Sequence, residues 1–198
     1  LTSHHDLALL PEGMIHQLAD RGGLPPGDLA RDPSAYPLAE ILPAADLVLT
    51  KKPNVERITV FLRSPEPACR YWASLSCLHF GEPATRRLAG DLSPLLDDPS
   101  PAVQIAAAAA LATYPVDESQ RVAAMDVLHR NADPTKTSAY HAVAALNAIE
   151  ALPDLPDQLR RQILALPSED PSAPALANGY VGRMHQHLST PRPGGGPD

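Results

Sequence analysis

Aromatic side chains are scarce in this chain, 4% of its 198 residues, although 44% are apolar. Alanine supplies much of the difference, and alanine favours helix over sheet. Nowhere do apolar and polar residues alternate as a half-buried strand requires, so no sheet is expected. Positive charge is short as well, with sixteen basic residues against twenty-three acidic and a net charge of −7. A nucleic-acid groove must neutralise phosphates, so no nucleic-acid partner is expected, despite a local patch at Arg86, Arg87 and Arg121. Runs of about eighteen apolar residues are missing, and Val103 to Thr113 is too short to substitute, so no membrane span is expected. There are two cysteines, Cys69 and Cys77, eight residues apart on what reads as one helix. That spacing separates them by roughly 12 Å, beyond the reach of a disulfide, and they read as small buried hydrophobes. The chain starts at Leu1, with neither a methionine nor a signal-like apolar core, which suggests a piece of a longer protein.

Proline, by contrast, is plentiful at 23 residues, and away from the ends it falls between helical patterns as punctuation. Its placement is periodic. Ser64-Pro65-Glu66-Pro67-Ala68 matches Asp98-Pro99-Ser100-Pro101-Ala102 and Asp133-Pro134-Thr135, which sets Pro65, Pro99 and Pro134 34 and 35 residues apart. In that frame Tyr71, Ile105 and Tyr140 coincide, as do Ala73, Ala107 and Ala142, and Cys77, Leu111 and Leu146. The prolines are expected to open helices, since their missing N–H is unpaired there anyway. A second amphipathic segment follows each copy: Leu88, Leu92, Leu95 and Leu96; Val122, Met125 and Leu128; Leu159, Ile163 and Leu166. A pair of antiparallel helices cannot bury both apolar faces alone, so neighbouring pairs must stack. The expected fold is all-α, a HEAT-like helical-repeat solenoid of short antiparallel helix pairs. About three repeats span 64–188, starting near 64, 98 and 133; the alternative is an irregular helical bundle.

Residues 1–63 read as a linker and helical segment joining an upstream domain. A short helix with Met14, Ile15 and Leu18 should end at Gly22-Gly23. A second should bury Leu38, Ile41, Leu42, Ala45 and Leu49 and kink at Pro43, and a third should run from Asn54 to Leu62 with Val55, Ile58 and Leu62 inward. After a last helix from about Tyr180 to Leu188, residues 189–198 read as a disordered tail.

No catalytic, cofactor-binding or metal-ligating residue is assigned. His4 and His5 lack a partner at ligand spacing, and His185 and His187 lie two apart, on different sides of a helix. Asp97-Asp98 reads as a solvated turn and helix cap. His141 reads as a structural or exposed histidine and Trp72 as packing, while Arg70 is placed to pair with a carboxylate on an adjoining helix or domain.

One ordered set of residues carries a family likeness: Leu10-Pro11-Glu12, Tyr36-Pro37-Leu38, Ile41-Leu42, Ala44-Ala45-Asp46, Arg70-Tyr71-Trp72-Ala73, Asp98-Pro99-Ser100-Pro101-Ala102-Val103 and Ile105-Ala106-Ala107-Ala108. Covering residues 9–113, it resembles the C-terminal extension of bacterial sulfatases related to N-sulfoglucosamine sulfohydrolase, a HEAT-like tail after an alkaline-phosphatase-like catalytic domain. Departures are Pro43 where alanine is expected, Cys69 for valine, Gln104 for arginine and Ala109 for glutamate. The resemblance implies a non-catalytic accessory domain of a secreted, periplasmic or extracellular sulfatase, whose partner is the adjoining catalytic domain. A calcium ion and a formylglycine matured from Cys-x-Pro-x-Arg would belong to that domain; neither Cys69 nor Cys77 sits in such a motif, so no cofactor is expected in this chain. A stand-alone HEAT-repeat scaffold binding a protein partner along its concave face is the alternative.

Overall fold

A helix start leaves amides unpaired; Pro67 and Pro101 remove one at two helix starts, and the Asn54, Asp117 and Ser138 side chains accept one at three others. The computed structural model describes Asp28 and residues 31–34, 36–171, 173 and 175–190; the side chains of 176 and 177 are not described. Among these residues there are ten α-helices and no strand. They are α1 (Leu38–Ala45), α2 (Val55–Leu62), α3 (Pro67–Phe80), α4 (Glu82–Arg87), α5 (Ala89–Leu92), α6 (Pro101–Thr113), α7 (Glu118–Asn131), α8 (Ala139–Glu150), α9 (Asp157–Leu164) and α10 (Ala175–Ser189). Two 3₁₀ segments, Asp46–Leu49 and Ser93–Asp97, extend α1 and α5. The expected segment with Met14, Ile15, Leu18 and Gly22-Gly23, the His4 and His5 pair, Leu10-Pro11-Glu12 and residues 191–198 lie outside the described residues. Ser189, expected in the tail, closes α10.

The frame prolines do not themselves open helices. Pro65 and Pro99 precede turns, and it is Pro67 and Pro101 that occupy the first helical position of α3 and α6. The third copy has no second proline, and α8 starts later, at Ser138, whose Oγ accepts the His141 amide at 3.2 Å. What recurs is a turn in which a short side chain accepts the amide two residues on. Ser64 Oγ accepts from Glu66 (3.1 Å), Asp98 Oδ1 from Ser100 (2.8 Å) and Asp133 Oδ1 from Thr135 (3.0 Å). A fourth copy stands ahead of α1, where Asp32 Oδ1 accepts the Ser34 amide at 2.9 Å.

Packing follows the chain. α1 and α2 lie against α3, α3 against α6, α6 against α7 and α8, α7 also against α8, and α10 against α8 and α9. The aligned sets Ala73, Ala107, Ala142 and Cys77, Leu111, Leu146 are all fully buried. One core runs unbroken from Tyr36 to Leu188. α6 is its centre: from Ala102 to Ala112 every residue but Gln104 is buried, as expected of a helix apolar on all sides. Cys69 and Cys77 are free and buried; Cys69 Sγ donates to the Glu40 carbonyl at 3.4 Å, and burial pushes the Cys77 thiol up to about 12.

Three expectations are corrected. Asp98 is not solvated: 5% exposed, it receives Arg70 through Nε (2.6 Å) and Nη2 (2.9 Å), while Arg70 Nη1 donates to the carbonyls of Ser64 and Pro65. The pair ties α3 to the turn before α6. On the expected apolar face of α1, Leu42 is 38% and Leu49 79% exposed: from Asp46 the helix tightens to 3₁₀, and the buried residues are Ile41, Ala44 and Leu47, three apart. Val122 is exposed, whereas Met125 and Leu128 of the expected face are buried, together with Ala124 and Val127.

Candidate functional site

The aligned residues Tyr71, Ile105 and Tyr140 lie on one side of three neighbouring helices, where the chain leaves a groove of about 810 Å³. Each helix contributes one stripe. Tyr71, Leu75 and Leu78 come from α3; Ala102, Ile105, Ala106, Ala109 and Thr113 from α6; Tyr140, His141, Val143, Ala144, Asn147 and Ala148 from α8. The spacings of three, four and seven are those of a single helix face. Tyr114, just past α6, Ala151, just past α8, and Tyr180 of α10 complete the lining among the described residues. The concavity has a simple origin: α6 meets the groove with three alanines, which leave empty the space that larger side chains would fill.

Two features set this surface apart. Four of the five tyrosines line it, in a chain with little other aromatic content. Among the described residues no Asp, Glu, Lys or Arg lines it, although 20% of the chain is charged. Burial raises the Tyr71 hydroxyl above its ordinary value of 10.0, so at neutral pH it stays protonated and can donate. Tyr71 meets Trp72 edge-on at 5.6 Å, and the Arg183 guanidinium lies 4.4 Å from the Tyr180 ring centroid. Thr113 Oγ1 is committed to the Ala109 carbonyl at 2.7 Å.

His141 is 4% exposed, and its Nδ1 lies 2.9 Å from Ser138 Oγ. That hydroxyl is the N-cap of α8, accepting His141's own amide, which accounts for the contact as a helix start. His185 is buried and His187 exposed, with His187 Nε2 3.3 Å from Glu150 Oε1. Among the described residues no group of three or more His, Cys, Asp and Glu is placed to hold a metal ion, and no helix is long and apolar enough to cross a membrane. The arginine patch is interrupted by acids: Arg86 Nε pairs with Glu82 at 3.1 Å, and Arg121 reaches Asp154 at 3.3 Å.

The groove itself is not evident in the sequence, because its walls come from residues some thirty apart. The signal was the coincidence of Tyr71 with Tyr140 in the repeat frame; a tyrosine recurring at one register position marks a lined surface as readily as a core. No family model matches the chain, and neither a curated protein nor a solved structure matches it.

Proposed function

We propose that this chain is a non-catalytic binding scaffold, a HEAT-like stack of helix pairs that holds a segment of a partner polypeptide in the tyrosine-lined groove. The groove carries this reading: an uncharged concavity rimmed by tyrosines offers contact area, with few titratable groups to drive a reaction. Its volume, about 810 Å³, is sufficient for the anchoring residues of a peptide. Selection of a displayed random-peptide library on the immobilised protein tests it. The wild type should enrich a common motif, and the Ala106→Phe variant, with a ring filling the groove floor, should not. Equal enrichment by both would place binding elsewhere.

The sulfatase resemblance supplies one such partner, an adjoining catalytic domain in which calcium and formylglycine would reside. In support, residues that carry the resemblance also hold the fold: Tyr36 is buried in the core, and Arg70 grips Asp98 across two helix pairs. Ala109, where glutamate is frequent in those tails, lines the groove and keeps it neutral. An upstream reading frame without Cys-x-Pro-x-Arg would overturn this second reading and leave the scaffold standing.

A further inference from the structure

We infer that the groove's occupant is an extended, proline-rich peptide in the polyproline II conformation, a step that rests on the groove being a polypeptide site. Hydrogen bonding is the first argument. The groove's polar equipment includes hydroxyls of Tyr71, Tyr114 and Tyr180 and the Asn147 amide, all able to donate. A polyproline II backbone makes no internal hydrogen bonds and offers its carbonyls outward as acceptors, whereas a helical ligand has spent nearly all of its own. Donor-bearing aromatic walls therefore suit the extended backbone.

Charge is the second argument. With no Asp, Glu, Lys or Arg among the described lining residues, a peptide carrying charge into the groove would leave it desolvated and unpaired there. Three residues per turn let a proline-rich segment keep two faces neutral and turn any charged residue to solvent on the third. The walls also match in kind, since proline-rich ligands dock on aromatic-lined surfaces at little ordering cost. Dimensions agree: the lining from Tyr140 to Ala151, the residue that follows α8, rises roughly 17 Å, room for about five or six residues at about 3.1 Å each.

Trp72, the chain's single tryptophan, touches Tyr71 and reports on the groove without a label. Decaproline titrated into the full chain should shift Trp72 emission and saturate. Tyr114→Phe, which removes one donor and keeps the ring, should weaken binding about fivefold. Ala106→Phe should weaken it more than about tenfold while its thermal melt stays cooperative. The comparison probe is an equally long leucine–alanine peptide that forms an amphipathic helix. A response to the helical peptide and none to decaproline would overturn the inference and leave the scaffold reading intact; silence toward both would end both. Decaproline bound equally by wild type and the two variants would place its site outside the groove and overturn the inference.

Discussion

Gly81 ends α3 and starts α4 with φ 77° and ψ −158°, a region of backbone space that only glycine enters freely. An added Cβ would meet nothing nearer than Tyr114 Oη at 3.8 Å, an ordinary contact, so the cost of Gly81→Ala is conformational. We expect a loss of about 1–3 kcal/mol in urea unfolding; no loss would mean the bend is adopted differently. Leu111 is the opposite case, ordinary in backbone and fully enclosed. Leu111→Ala should cost about 2–5 kcal/mol, the range for an emptied core site, and a loss near zero would mean it faces another way. At this scale the sequence was informative wherever volume repeated, as at Ala73, Ala107 and Ala142. It failed at Asp98, whose burial depends on Arg70, 28 residues earlier on another helix; an Asp before Pro looks the same solvated or clamped.

Helices were legible by period, and the misreadings occurred where the period changed. A fixed 3.6-residue turn carried past Ala45 puts Leu49 inside; the 3₁₀ segment Asp46–Leu49 has three residues per turn and turns it out. The fourth turn at Asp32-Pro33-Ser34 escaped notice because a 32-residue offset to Ser64 breaks the spacing of 34 and 35. In α10 the buried His185 makes a pH prediction. Burial holds its pKa below the ordinary 6.5, so the unfolded segment binds the proton more readily. As pH falls below about 6.5 the docked α10 loses stability relative to the undocked one; above that both forms are neutral and nothing changes. The neighbouring His187–Glu150 contact, 3.3 Å long and exposed, is worth at most about 1 kcal/mol. Asp133 acts in a separate window: burial pushes its carboxyl up, yet bonds from Thr135 and Lys136 outweigh this and leave it below 3.8, so its contribution fades only in stronger acid. Amide exchange in α10, corrected for intrinsic rates, should therefore rise between pH 7 and pH 5 while α6 stays protected. A His185→Leu variant should remove that dependence.

At the scale of the whole fold, stability depends on how neighbouring helices are joined, since among the described residues α3 packs on α6 and α6 in turn on α7 and α8. Hydrophobic contact between α3 and α6 supplies the area, and Arg70 with Asp98 supplies the register. Arg70 and Asp98 keep side-chain exposures of 14% and 3%, so removing one partner strands the other's charge away from water. Losses of about 3–5 kcal/mol are typical of such truncations. The effect should be directional. Trp72 lies in α3, on the N-terminal side of the clamp, whereas circular dichroism sums over all helices. In the wild type the continuous core should make the two signals unfold together. In Asp98→Ala, α1 to α3 lose their hold on α6, and the Trp72 transition should move to lower denaturant than the dichroism midpoint. Arg70→Met with Asp98→Leu, which removes both charges and fills the space, should bring the two curves back together. Coincident curves in Asp98→Ala would show that α3 and α6 are joined by their apolar faces alone, with the ion pair adding nothing to the cooperativity of the fold.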